Sequence, residues 1–478
     1  MCAPWIATTA GRDGTLRVSN VACFDATPRK VVRDGEVILR EHGSCRCRLA
    51  DNGLMIRRTA ARVAALFAVV AVLRPLPGGA QTHAGSAVQP PDAPAPFHVG
   101  SQDDFFIESA DGNTRLNIGL VAQTDGRFFV NDEPAPTNTF LIRKARPTFS
   151  GRIMKYFDFK VMPDFGNGSS VLQDAYLEIH FSPAFRVRSG KDKMPLGYEW
   201  MIGDSYVLFP ERSLATDLVP DRDVGVEVLG DLAGNRISYQ GGVFNGIPDG
   251  TSSTTDVDTN GAKDLVGRVI VTPFRSGPTA TRPIEGLGFH VGGSVGREHG
   301  SLPTFKTHGQ QSFFSYVSGA LADGTHTRVT PAAFYYYEGF GAYAEYVRSA
   351  QTIARSGVDT DVSNHAWDVT TSYLLTGEKA TPGIVRPERN FDPEAGRWGA
   401  VQVLARYAVL TVDRDAFDAG LAAAESSRQA RSFGVGVDWY PNPYIKLYGT
   451  FDRTTFPGDT SRGRGAEHVI IFRTQLAF

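Results

Sequence analysis

Three basic side chains, Lys144, Arg146 and Arg152, stand at even-numbered positions of the stretch FLIRKARPTFSGR. Successive side chains of a strand face opposite sides, so an extended backbone puts these three on one face and turns Arg143 to the other. A row of cations lining a water-filled passage replaces part of an anion's hydration shell. The same charges facing lipid would cost about 2–4 kcal/mol each near the bilayer midplane.

Other constellations carry less. Ser150 and His180 lie on polar faces, but hydrolysis also needs an orienting Asp or Asn, and nothing in the spacing supplies one. Asp256-Val257-Asp258-Thr259-Asn260-Gly261 opens like a calcium loop. Its twelfth position is Gly267, where a bidentate Glu is needed. Gly463-Arg464-Gly465 lacks the following helix of a phosphate-binding glycine turn. The ten histidines are scattered without metal-ligand spacing. No cofactor, metal or nucleic-acid partner is implied.

The elements that must carry the basic row are strands. In 115–123, Leu116, Ile118, Leu120 and Ala122 alternate with polar residues, and Val171, Ala175, Leu177, Ile179 and Phe181 do so further on. Phe433, Val435, Val437 and Trp439 repeat the pattern. Sixteen such runs follow one another, broken by turns such as Ala233-Gly234-Asn235 and Pro441-Asn442-Pro443. Aromatic residues gather at strand ends (Tyr335, Tyr336, Tyr337, Phe340; Trp439, Tyr440, Tyr444), as an interfacial girdle requires. No stretch after residue 81 has 18 consecutive apolar residues. The expected fold is all-β: a transmembrane antiparallel barrel of about 16 strands, whose closure leaves no backbone group unpaired in lipid.

Composition divides the chain. All four cysteines precede Met55, as do only Trp5 and Phe24 among the aromatics. Residues 55–81 have the basic start, the eleven-residue apolar run Val63 to Leu73 and the small-residue exit of a secretory signal peptide. Residues 1–54 are therefore expected to precede the true start, and 82–97, rich in Pro and Ala, to form a flexible leader. Residues 98–478 make the barrel. From residue 82 onward the chain holds 37 basic against 45 acidic residues and no cysteine. That excludes a disulfide scaffold and a global field for nucleic acid.

Taken in order, FLIRKARPTFSG (140–151), LQDAYLEIHF (172–181), FPERSLATDLVPDRDVGV (209–226), SYLLTGE (372–378), GVGVDWYPNPYIKLYGTFDR (434–453) and IIFRTQLAF (470–478) resemble the phosphate-selective porin O/P family. The resemblance implies a sixteen-stranded homotrimeric porin of the bacterial outer membrane, set among lipid and lipopolysaccharide. It would pass phosphate or other small anions by passive diffusion. The terminal aromatic, Phe478, resembles the assembly signal read by the barrel assembly machinery. The third outer loop, here 191–222, would fold inward as the constriction, bringing Lys191, Lys193 and the Glu211-Arg212 pair. Arg212 matches the family's pore arginine, and Arg143 its basic pair. Family members carry lysines ahead of the Glu-Arg pair; Tyr198 to Leu208 has none, and 191–223 counts four basic against seven acidic residues. The alternatives are a general or weakly cation-selective porin and, more remotely, a barrel-embedded hydrolase.

Overall fold

The computed structural model describes residues 97–478, leaving aside 131–135, 254–257, 259, 278 and 458–463, together with four short strands near the start of the chain. Those four lie in a separate compact unit, residues 1–88, and pair as two small hairpins: Ala7–Ala10 with Leu16–Ser19, and Val32–Arg33 with Glu36–Val37. The stretches read above as signal peptide and leader lie outside the described residues, except Phe97, which opens a strand.

Sixteen strands form the barrel of the second unit. The first five are β1 (Arg115–Phe129), β2 (Thr139–Ile153), β3 (Phe157–Asp164), β4 (Val171–Ser182) and β5 (Phe185–Lys193). After a long excursion come β6 (Arg222–Leu232), β7 (Ile237–Phe244), β8 (Asp264–Val271) and β9 (Leu287–Gly300). Then follow β10 (Leu321–Tyr337), β11 (Phe340–Arg355), β12 (Val358–Leu374) and β13 (Ala400–Thr411). The last are β14 (Gln429–Asn442), β15 (Ile445–Thr455) and β16 (Glu467–Ala477). Neighbours in sequence are antiparallel neighbours in space, and β16 closes the ring on β1, from Val469 opposite Phe129 to Ala477 opposite Val121. A hairpin ahead of β1, Phe97–Gln102 with Asp104–Ser109, extends the sheet along the start of β1. Among the described residues, no helix is long and apolar enough to cross a membrane.

The two-residue period sorts side chains as expected. In β12, Trp367 and Val369 face out while Ala366, Asp368 and Thr370 are buried inside. Leu265, Val291, Val295, Phe433 and Phe472 add to the exposed apolar outer surface. Tyr440, one of the girdle candidates, instead turns inward and donates to Gln402 Oε1 at 2.8 Å.

Arg143 does not follow the expected alternation. Gln123 of β1 lies opposite Lys144, but Thr124 lies opposite Ile142, so Arg143 is an extra residue in β2. Such a bulge switches the parity of the strand. Phe140 and Ile142 point out before it, Phe149 after it, and Arg143 and Lys144 both turn inward.

Inside the barrel, the inward segments 194–221 and 301–320 build an apolar core of their own. Met194, Leu196, Leu214, Leu218 and Val219 meet Phe305, Phe313 and Phe314, with Val347, Val362 and Ala366 supplied by the wall. The expected inward loop thus runs 194–221, slightly shorter than the sequence suggested.

Just before this loop, Gly190 sits at φ +132°, and a Cβ there would lie 2.2 Å from the carbonyl oxygen of Ala175. Gly190→Ala must therefore push β4 and β5 apart beneath the loop. A loss of about 1–3 kcal/mol is expected, seen as a lower urea midpoint for the refolded protein; an unchanged midpoint would contradict the packing described.

Candidate pore constriction

The 194–221 loop leaves β5 at Lys193, crosses the lumen and returns at Arg222. Its near end makes one helical turn, Tyr198–Met201, that docks on the far wall. The amides of Tyr198 and Glu199 donate to the Glu345 carboxylate of β11 at 2.5 and 3.2 Å. Tyr343 Oη donates to Glu199 at 2.8 Å, and Ser213 Oγ to Asp368 of β12 at 3.0 Å. Farther round the ring, Arg406 of β13 donates to the Glu211 carbonyl at 2.8 Å and Lys446 of β15 to the Val207 carbonyl at 2.9 Å. Gln475 of β16 reaches the Ser205 carbonyl at 3.0 Å. Thr330 of β10 accepts the Gly197 amide at 3.2 Å and Gln123 of β1 donates to the Asp204 carbonyl at 3.4 Å, so the wall supplies partners to the loop's polar backbone from many sides.

Two loop carboxylates collect the basic side chains. Asp204 pairs with Lys144 at 3.0 Å, Arg146, Arg212 at 2.8 Å and Arg222 at 3.4 Å. Glu211 pairs with Arg127 at 2.7 Å, Arg143 at 2.8 Å and Arg473 at 3.1 Å. These seven cations also share Asp125, Asp164 and Asp174, and Lys160 joins them on Asp174 at 2.7 Å, so eight cations against five carboxylates leave three positive charges over within this network. Burial works against the charged forms of both loop carboxyls. For Asp204, Lys144 and Arg146 outweigh it; for Glu211, Arg143 and then Arg127 do, and both groups sit well below the ordinary carboxylate range. Trp200 packs beneath the cations, its ring 4.7 Å from Lys193 Nζ, 4.8 Å from the Arg212 guanidinium and 5.5 Å from that of Arg222.

Of the residues singled out in the sequence, Arg212, Lys144 and Arg146 meet at Asp204. Lys193 lies beside them but donates to the carbonyls of Trp200 and Ile202, at 2.7 and 2.9 Å, and so props the loop. Lys191 donates to the Ser253 carbonyl in the next outer loop at 2.6 Å. Arg152 stands at the opposite end of β2, pairing with Asp158 at 2.7 Å. Arg212 pairs with Asp204 rather than with its neighbour Glu211. Arg143, expected to face outward, joins the Glu211 cluster because of the bulge. Sequence reasoning passed over Arg127 and Arg473. Both hold inward positions on their strands, but only closure of β16 on β1 brings them together, with Asp125 opposite Arg473 in register.

A cavity of about 140 Å³ opens beside this network, lined by Arg143, Lys144, Glu211, Arg212, Asp217 and Lys306. Asp217 accepts the Lys306 amide at 2.7 Å, yet burial pushes its carboxyl up to about 7. A second inner cavity, of about 220 Å³, lies between the loop residues Ser205 and Tyr206 and the segment 383–385, with Lys446 and Gln475 on its wall.

Two other clusters are engaged in ion pairs. Asp158, Glu178 and His180 bring ligand atoms within 4.8 Å of one another. Arg152 takes Asp158 and Arg188 takes Glu178 at 2.7 Å each, which spends the carboxylate oxygens on guanidinium groups. In the calcium-like stretch, Asp258 accepts the Asn260 and Gly261 amides and pairs with Lys263; most of the rest of that stretch lies outside the described residues.

Known proteins share this architecture. The outer membrane channel DcaP of Acinetobacter baumannii superposes with a TM-score of 0.51 at 11% identity, over 78% of this chain and 99% of that one. An anion-selective porin from Comamonas acidovorans gives 0.48 at 12% identity, over 76% and 99%. No curated protein sequence matches the chain. The sequence pattern of phosphate-selective porin O and P matches residues 117–478, which takes in all but the first two residues of the barrel. The chain belongs to the phosphate-selective porin O and P family, as an outer-membrane porin.

Proposed function

We propose that this porin conducts small anions, phosphate among them, by passive diffusion, with selectivity set where the 194–221 loop meets β1, β2 and β16. The supporting observation is the cation excess around Asp204 and Glu211, beside a cavity that Arg143, Lys144 and Arg212 line. The acidic loop does not by itself argue against anions, because two of its carboxylates are already matched by cations of the wall. A homotrimer in outer-membrane lipid and lipopolysaccharide, assembled through the barrel assembly machinery and entering that route by a signal peptide at 55–81, completes the reading.

A weakly cation-selective porin is the second reading, favoured by Asp217 and Asp221 on the same cavity. The reversal potential of the purified protein in a planar bilayer under a tenfold KCl gradient separates the two. Anion-selective sign is expected, with chloride current blocked by added phosphate; Arg212→Ala should reduce the anion preference. A cation-selective sign decides for the second reading, and crosslinking the purified protein tests the trimer.

The same recording gives a pH dependence. Asp217 is neutral below about pH 7 and charged above it. Anion preference should therefore fall as pH rises from 6 to 8 in the native protein and stay flat in Asp217→Asn. Equal profiles would show that this carboxyl does not face the conducting path.

A further inference from the structure

Glu211 occupies a seat built for an oxyanion. Its Oε1 receives Nη2 of Arg127 at 2.7 Å, Nε of Arg143 at 2.8 Å and Nη2 of Arg473 at 3.1 Å, while Oε2 receives Nη2 of Arg143 at 2.9 Å. The pairing with Arg143 is the two-pronged geometry by which guanidinium groups recognise carboxylate and phosphate. The three arginines come from three strands, and their only other carboxylate partner among the described residues is Asp125, which pairs with Arg127 and Arg473. Among the described residues, Glu211 is the one carboxylate in direct ion-pair contact with Arg143.

The loop has anchors here besides this carboxylate. At the same point its backbone is held by Arg406, on the Glu211 carbonyl at 2.8 Å, and by Arg473 on the Pro210 carbonyl. These backbone anchors would remain if the side chain turned away from the arginines. The cavity of about 140 Å³ reaches both Glu211 and Arg143, giving the carboxylate somewhere to swing and a solute a way to arrive.

We propose that Glu211 is a tethered stand-in for the permeating anion: an arriving oxyanion displaces its carboxylate from Arg127, Arg143 and Arg473, and the carboxylate returns when the anion leaves. This rests on the anion-channel reading above. Conduction needs binding strong enough to admit an ion and weak enough to release it. A built-in competitor serves both ends, since it covers the arginines between passages and lowers the net affinity of the seat. The ligand class is a small oxyanion with two oxygens on one side, such as phosphate; a monatomic halide cannot match the two prongs of Arg143.

Chloride current through the full-length protein in planar bilayers, titrated with inorganic phosphate, tests this. In Glu211→Gln the half-blocking phosphate concentration should fall by about tenfold, the ratio that a single lost charge competitor of modest strength gives. Asp158→Asn removes a carboxylate from the ion pair with Arg152 at the opposite end of β2, outside the lining of this cavity. It should leave that concentration near the native value. Equal falls in both variants, or none in Glu211→Gln while the native channel is anion-selective, overturn the proposal and leave the channel reading intact. A cation-selective native channel overturns that reading instead. If Glu211→Gln fails to refold, Glu211→Asp, which keeps the charge but withdraws it by one methylene, should lower the concentration in the same direction; no change there overturns the proposal.

Discussion

The pairing of Asp204 and Glu211 with seven cations is the interaction on which the rest of this pore depends. A cation inside a barrel, taken partly out of water, is costly unless matched, and here the match comes from a loop that must cross the lumen to deliver it. The loop's course, the inward turn of Arg143 and the charge beside the loop are therefore one arrangement. Removing Glu211 would take from Arg143 its ion-pair partner, and removing Asp204 would do so to Lys144 and Arg212, whereas removing one cation leaves others to share the remaining oxygens. The two loop acids shape the field even though they carry the minority charge.

The apolar cluster inside the barrel serves the same end by other means. Leu214 and Leu218 of the crossing loop and Phe305, Phe313 and Phe314 of the next inward segment exclude water from each other's flanks. Packing fixes where the loop lies, and hydrogen bonds from β11, β12, β13, β15 and β16 fix how it is turned. The loop's position in the lumen is set by burial, and the charge around it by pairing.

The barrel was legible from the sequence because lipid on one side and water on the other impose a two-residue period on nearly every strand. The strand number, the closing aromatic and the inward loop followed from that period and from the family resemblance. Parity failed at Arg143, since one inserted residue moves every later side chain of β2 to the other face and the alternation itself does not say where the slip occurs. Arg127 and Arg473 were legible as inward residues but not as partners, because their meeting depends on the ends of the chain. Summing charge over 191–223 leaves out the wall for a related reason: Asp204 and Glu211 pair with strands far away in sequence.

The seam between β16 and β1 also has a consequence in time. Gln123 and Gln475 bond across it at 2.7 Å from positions 352 residues apart. Contacts so distant along the chain are the slowest to find, and until this one forms the sheet keeps two open edges able to pair with any other extended chain. The ring cannot begin to shut before its last eleven residues exist. Until closure, the barrel is an incomplete sheet with edges that need cover rather than a smaller version of the finished one.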